Sequence, residues 1–434
     1  MAKKEELFPV TATWKDGILR QIGGESLEEL VEEHGTPLYI YDALTFKQGY
    51  ETLCSLLEKF YAGPSEIAYA SKAYISQKFA GKLAALGASV DVVSAGELLM
   101  VVNAGIPGEK IHLHGNNKSE KEIRMAIEYR IESIVVDSLD ELWFVEKIAS
   151  GLDSTPKIWL RINPDIYVET HTAIQTGHEV SKFGIPIKNG EAARAIQIAL
   201  HSKTVRLTGI HIHLGSQIFD ANRYRKALNT ILSLCDHVGW TPQTISPGGG
   251  WGVPYTEAIP VTDPVDWISE VCNSIVKWRG NAINRLPQLV IEPGRCLIAR
   301  AGVALYRVGA TKELVDGTHI AALDGGMADN PRPGLYGAEY MAELIGSAVG
   351  RRLVGTRLVG RYCESGDELI HQTPLPELVR GDLIAIPVSG AYQLSMASNY
   401  NLTSRPCVLW LDNGTVEVLH KREEIDSSSW WTGD

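Results

Sequence analysis

The stretch EIAYASKAYISQKFAGKLAALGASVDVVS, residues 66–94, contains a complete strand–helix–strand unit. Glu66 to Ala70 is a short apolar run that ends on Ser71 and Lys72. The residues after it, AYISQKFAGKLAALG, space their apolar side chains at helical intervals, and Gly87 makes a helix stop. SVDVVS (Ser89 to Ser94) then restarts the strand pattern and ends on a polar residue. Two strands joined through a helix lie parallel, so this unit predicts a βα fold with chemistry-bearing residues at the C-terminal ends of its strands.

The same reading extends outward. KIHLHGNN (Lys110 to Asn117), SIVVDS (Ser133 to Ser138) and KIWLRINP (from Lys157) follow, so that strand starts recur every 21 to 24 residues. Ser119 with Glu122 forms a capping box at the head of one helix, and Ser138 with Glu141 is a second candidate. LTGIHIHLGS (Leu207 to Ser216), TISPGGG (Thr244 to Gly250) and QLVIEPG (Gln288 to Gly294) complete eight strands. Between the fifth strand and a helix expected over 189–199 lies the polar stretch Asp165 to Gly184, long enough to be a substrate loop. Eight βα units close most economically as a (β/α)8 barrel, whose active site is built on the loops after the strands.

From Gly302 the texture changes to alternating or β-branched runs: VALYRVGA, HIAALD, RLVGRY, DLIAIPV, CVLWLD and TVEVLH. The last two meet at Asp412, Asn413 and Gly414, which predicts a tight hairpin. GILRQIGG and TPLYIYD near the start look strand-like as well and are expected to join the C-terminal sheet. The chain therefore reads as α/β plus all-β: a TIM-like barrel over 43–300, and a β domain of sandwich or Greek-key-like type made of 1–42 and 301–434.

Composition sets outer limits. The 434 residues are 44% hydrophobic and 21% charged, with net charge -11 and the two signs interspersed, so no basic footprint for nucleic acid or anionic membrane exists. No apolar run approaches a membrane span and the start MAKKEELFPV has no signal-peptide core, from which a cytoplasmic location is expected. The six cysteines (Cys54, Cys235, Cys272, Cys296, Cys363, Cys407) form no CxxC pair, which argues against zinc ribbons and disulfide frameworks. The expected partner is a small molecule.

Residue types at the strand ends suggest its chemistry. Lys72 at the mouth of a barrel could serve as a nucleophilic amine, either directly or to hold a pyridoxal phosphate cofactor. In PGGGWG (Pro247 to Gly252) three consecutive glycines let backbone amides approach an anion, and with Ser216 they favour a phosphate site. Glu292 in IEPGR could face a pyridine nitrogen and keep it protonated, and Arg295 could clamp a carboxylate. The pairs His112/His114 and His211/His213 also invite a metal reading. It is set aside because such a site also wants an aspartate near strand eight, and stacking of His213 on a flat ring is the better use. In the C-terminal half, Cys363 and Glu364 pair a thiol with a carboxylate, Arg332 and Tyr336 stand in a loop suited to a carboxylate, and Tyr392 adds a hydroxyl.

Together, YASKA, DVVSAGEL, HGNNK, HTxIxTG with SKFG, HxHLGSQ, PGGGWG, EPGR, DGGMADNPRPxLY, CESGD and GAYxxSMASNYN resemble the diaminopimelate decarboxylases, in order and over almost the whole chain. The resemblance implies a fold type III enzyme dependent on pyridoxal 5'-phosphate, held by Lys72, with His213 on the ring and Glu292 at the pyridine nitrogen. It implies further cofactor contacts from Ser216, Gly249, Gly250, Arg295 and Tyr392. Substrate binding falls to Arg295, Arg332, Tyr336, Glu364 and Tyr392. It implies a homodimer with shared active sites, in which Cys363, the proton donor, and Glu364 come from the neighbouring subunit. The reaction implied is decarboxylation of meso-2,6-diaminopimelate to L-lysine and carbon dioxide, the last step of lysine biosynthesis.

Three positions depart from the family pattern: Ala173 to Gly177 reads AIQTG where EYISTG is usual, Gly334 stands where alanine is usual, and Arg361 stands where proline is frequent. Ornithine, arginine, carboxynorspermidine or a carrier-bound amino acid are the alternative substrates. A pyridoxal phosphate carrier is the non-enzymatic alternative.

Overall fold

The computed structural model describes residues 1–166, 181–280 and 285–433. It divides into two units: Tyr50–Gly252 with Thr262–Gly294, and Met1–Gly49 with Val253–Val261 and Arg295–Asp434.

The first unit is a closed barrel of eight parallel strands: β1 Ser65–Ala70, β2 Ser89–Val92, β3 Ile111–Leu113, β4 Ser133–Val136, β5 Lys157–Asn163, β6 Arg206–His211, β7 Thr244–Gly248 and β8 Gln288–Ile291. Each pairs with the next, and β8 closes on β1 with Leu289, Val290 and Ile291 opposite Ser65, Glu66 and Ile67. The eight strands are those the sequence predicts. Ala68, Val135, Trp159 and Val290, from four strands, form a buried cluster in this unit, each large side chain contributing roughly 1.5–3 kcal/mol of burial.

Helices start where the capping chemistry says they should. Ser76, Ser94, Ser119 and Ser138 each accept the backbone N–H of the third residue on, capping helices Gln77–Ala85, Ala95–Asn103, Glu120–Glu128 and Leu139–Gly151. Ser119 and Glu122 make the full box. Glu141 does not reach back to Ser138. Its carboxylate is buried, pairs with Lys118 Nζ at 3.0 Å and accepts the Asp137 N–H at 2.8 Å, because a buried lysine needs its charge compensated more than a helix end needs a second cap. The helix expected at 189–199 runs Glu191–His201, since Gly190 has a left-handed φ of 77°. Most of the expected substrate loop, including 173–177, lies outside the described residues.

The second unit is built on a nine-stranded mixed sheet. Its main path runs Glu368–Pro376, Leu353–Val359, His319–Leu323, Gly302–Glu313, Leu38–Asp42, Cys407–Asp412, Thr415–His420; off this path Leu383–Ile386 pairs with Gly302–Glu313, and Glu343–Ile345 pairs with Leu383–Ile386. TPLYIYD therefore supplies a central strand, antiparallel to Gly302–Glu313 and parallel to Cys407–Asp412. GILRQIGG goes elsewhere, as Ile18–Ile22 of a separate three-stranded sheet. Leu38 and Ile40 point to an apolar core with Val303, Leu305, Leu409 and Leu411, while on the other face Tyr39 bonds Asp329 and Gln393. The hairpin forms as read, with φ of 52° at Asn413 and 82° at Gly414.

Candidate active site

Within the barrel, the expected residues sit at the ends of β1, β6, β7 and β8. β1 runs into a single 3-10 turn, Ser71–Ala73, that exposes Lys72. Among the described residues its amine has no hydrogen bond or ion pair, yet its charge is felt by Asp91, Glu97 and His213. Burial pushes the His213 imidazole well below its ordinary pKa, and Lys72 adds to the effect, so the ring is neutral. Its Nδ1 accepts the Gly249 N–H at 3.4 Å, which leaves the proton on Nε2.

The glycine run is shaped by close approach. A Cβ on Gly249 would lie 1.9 Å from the Glu292 carbonyl oxygen, and one on Gly250, whose φ is +101°, would lie 2.0 Å from the Gly215 carbonyl. Tyr224 fixes the loop by donating to the Gly249 carbonyl at 2.6 Å, and the Ile218 N–H donates to Gly250 at 3.0 Å. The segments carrying Ser216 and PGGGWG are thus joined.

Glu292 is the electrostatic centre. It is buried, and burial alone would neutralise it. His211 donates from Nε2 to one oxygen at 3.0 Å and Ser246 donates to the other at 2.6 Å, with His114 at 3.8 Å. These neighbours outweigh burial and hold the carboxyl well below its ordinary range. Beside it Asp91 is buried 3.4 Å from His114, and desolvation together with the Glu292 charge drives its carboxyl the other way, well above its ordinary value. Of the two carboxyls, Glu292 is the one that carries charge.

The histidine pairs resolve by depth. Two residues along a strand are one face but about 6.6 Å apart, so each pair spans two levels. His112 bonds Ser133 and packs its ring 4.5 Å from that of Trp159, while His114 reaches Asp91 and Glu292. His211 bonds Glu292, whereas His213 meets Gly249. One histidine from each pair therefore joins Glu292, the ligating atoms of His114, His211 and Glu292 lying within 4.8 Å of one another. His211 and His114 are both pushed down by burial, and His211 spends its N–H on the carboxylate. That N–H would have to be given up before a metal could bind there.

The second unit holds a different group. Arg295, which opens the short helix Arg295–Ile298, lies buried with its guanidinium 4.5 Å from the Tyr392 ring centroid. Arg332 opens the helix Arg332–Tyr336 and is also buried. Asp329 shapes the loop before it, accepting the Gly326 N–H at 2.9 Å, and burial pushes its own carboxyl up to about 6. Tyr336 is half-buried against Met396, its hydroxyl 3.4 Å from the sulfur. Cys363 and Glu364 lie on the surface of this unit, Glu364 accepting a hydrogen bond from Tyr400. Asp367 of the same CESGD run accepts the Tyr362 and Met327 N–H groups at 2.8 and 2.7 Å, so it fixes the thiol's loop to the DGGMADN loop.

Sequence reading missed six of these neighbours: Asp91, Ser246 and the charge-holding roles of His114 and His211, and in the second unit Tyr255 and Tyr340, which contact the arginines. SVDVVS and TISPGGG carry a polar residue on the strand, which is the one signal that pointed to Asp91 and Ser246.

A parallel barrel that keeps a carboxylate ionised in its interior, with a lysine that has no ion pair among the described residues and a glycine-lined loop, defines the class: residues 50–299 match the family described as "Pyridoxal-dependent decarboxylase, pyridoxal binding domain". The diaminopimelate decarboxylase of Bacillus methanolicus is 39% identical over 413 residues, covering 94% of this chain and 95% of that protein. The chain belongs to the diaminopimelate decarboxylase family. Its fold is similar to that of the diaminopimelate decarboxylase from M. jannaschii in co-complex with L-lysine, with TM-score 0.89, 33% identity and 96% of each chain covered. A lysine/ornithine decarboxylase from Vibrio vulnificus, complexed with cadaverine, is less similar, at TM-score 0.74 and 26% identity over 89% of this chain and 97% of that one. No helix among the described residues is long and apolar enough to cross a membrane.

Proposed function

We propose that this chain is a carboxy-lyase that uses pyridoxal 5'-phosphate to convert meso-2,6-diaminopimelate to L-lysine and carbon dioxide, the last step of lysine biosynthesis. The observation that carries the reading is Glu292, buried and yet held ionised by His211 and Ser246. Such a carboxylate calls for a cationic partner, and a protonated pyridine nitrogen is one. The other residues fit the same group. Lys72 would hold its aldehyde, the neutral His213 ring would stack on its face, and Ser216, Gly249, Gly250, Arg295 and Tyr392 would take part in binding it. When bound, the cofactor supplies a ring that accepts the electrons of a breaking carbon–carboxylate bond.

The chain's own groups do the rest. Arg295, Arg332, Tyr336 and Tyr392 would bind the substrate, with the guanidiniums on carboxylate. Glu364 would take the distal ammonium, and a substrate without the distal carboxylate would lose several kcal/mol of binding. Cys363 Sγ–H would deliver to the α-carbon the proton that replaces the departing carboxylate. Exposure of Cys363 and Glu364 on a single chain supports a homodimer in which each subunit lends them to its neighbour's site. A cytoplasmic location accords with this small-molecule chemistry.

Lys72→Ala tests the reading. Loaded with pyridoxal phosphate, it should lack the visible absorption band of the lysine-bound cofactor, and mixing it with Cys363→Ala should restore part of the activity in heterodimers. A band that persists in Lys72→Ala refutes the assignment of Lys72, and heterodimers without activity refute the shared site.

A further inference from the structure

Tyr255 and Tyr340 are buried in the second unit and have no part in the site as expected from the sequence. Arg295 Nη1 donates to the Tyr255 hydroxyl at 2.5 Å. The Arg332 guanidinium lies 4.7 Å from the centroid of the Tyr255 ring, and Arg332 Nη1 donates to the Tyr340 hydroxyl. The two tyrosine rings meet edge to face, centroids 5.3 Å apart. Among the described residues the groups facing Tyr255 are two guanidiniums and one phenol, with Tyr392 against Arg295. All four of Tyr255, Tyr340, Arg295 and Arg332 are less than a tenth exposed.

A buried guanidinium requires a negative or strongly accepting partner. Among the described residues Arg332 has no carboxylate within ion-pair distance and its buried Nε has no acceptor. The oxygen that lies among these cations is that of a tyrosine. We propose that Tyr255 is a specificity-determining residue of the carboxylate site: its hydroxyl oxygen stands in for a carboxylate on Arg295, and a substrate carboxylate must displace it.

This deepens the reading above and rests on it, since it takes Arg295 and Arg332 as the carboxylate clamp. Protonated Tyr255 can turn and donate its O–H to the incoming carboxylate. Ionised Tyr255 competes for the guanidinium and repels the carboxylate, so binding then draws one proton from solvent onto the phenol oxygen. Burial alone would push the Tyr255 hydroxyl up, but Arg295 and Arg332 outweigh it and bring it below the ordinary tyrosine value. The competition therefore sets in at lower pH than for an ordinary tyrosine.

Pimelate, a dicarboxylate without amino groups, is the probe, because its own charge is constant above neutral pH. Calorimetric titration of holoenzyme from pH 7 to pH 10, repeated in buffers of different ionisation heat, gives affinity and proton uptake together. Wild-type affinity should fall by about tenfold per pH unit on the alkaline side, with uptake approaching one proton. Tyr255→Phe should lose that fall and the uptake. An alkaline fall that persists in Tyr255→Phe, or wild-type binding with no proton taken up across the range, overturns the role of Tyr255. Wild-type holoenzyme that does not bind pimelate at pH 7 overturns the carboxylate clamp itself, and the inference with it.

Discussion

At Gly249 the needs of the fold and of the proposed chemistry meet in a missing Cβ. An added methyl would sit 1.9 Å from the carbonyl oxygen of Glu292, a backbone atom that cannot turn aside. Gly249→Ala must therefore push the glycine loop away from β8, at a cost of about 1–3 kcal/mol. The same shift disturbs the N–H that donates to His213. Thermal unfolding and equilibrium dialysis of the cofactor should show a lower Tm and at least about tenfold weaker pyridoxal phosphate binding. Unchanged affinity in a folded variant would mean that this glycine serves the turn alone. Sequence gave the glycine run a phosphate role, and the close approach to β8 supplies the reason for the middle glycine.

Among elements, the barrel strands were legible because nearly all end in a polar or glycine-rich cluster and four of the helices that follow them start on a capping serine. The neighbours of Glu292 were not legible. Asp91, His114, His211 and Ser246 come from β2, the end of β3, β6 and β7, and their meeting depends on strand order and stagger, which a period of two cannot encode. Glu368–Pro376 escaped notice for another reason: Pro374 and Pro376 argue against a central strand, and the segment is in fact a terminal strand of the sheet's main path. At the start of β1, Glu66 accepts from Ser89 on β2 and from Gln288 on β8 at 2.8 Å, with Lys110 and His112 each 3.6 Å away. Burial opposes its ionisation, but the nearby His112, the Ser89 hydrogen bond and the Lys110 charge prevail and bring its pKa down to about 2. A depressed carboxyl stabilises the fold above its unfolded pKa of 4.5 and loses that contribution as pH falls through the folded value. Denaturant unfolding should find Glu66→Gln less stable by up to about 3 kcal/mol at pH 6, with the gap to wild type narrowing from pH 4.5 toward pH 3. A gap that stays constant over that range would contradict the charge-based account.

The whole molecule joins a barrel that matches the pyridoxal-binding family to a sheet unit that buries two arginines, Arg295 and Arg332. The sheet could not be read in full from its own region, because its central strand, Leu38–Asp42, comes from the start of the chain. Under the proposed function substrate choice also belongs to this scale, since Lys72, His213 and Glu292 would suit any amino acid while the buried Arg332 would suit one with a further carboxylate. The most direct measurement supplies purified protein with pyridoxal 5'-phosphate and meso-2,6-diaminopimelate and quantifies carbon dioxide and L-lysine, with ornithine and arginine assayed in parallel. The account predicts equal amounts of carbon dioxide and L-lysine from meso-2,6-diaminopimelate, and turnover of ornithine and arginine lower by at least about a hundredfold. No turnover of meso-2,6-diaminopimelate, with ready decarboxylation of ornithine or arginine, would contradict it.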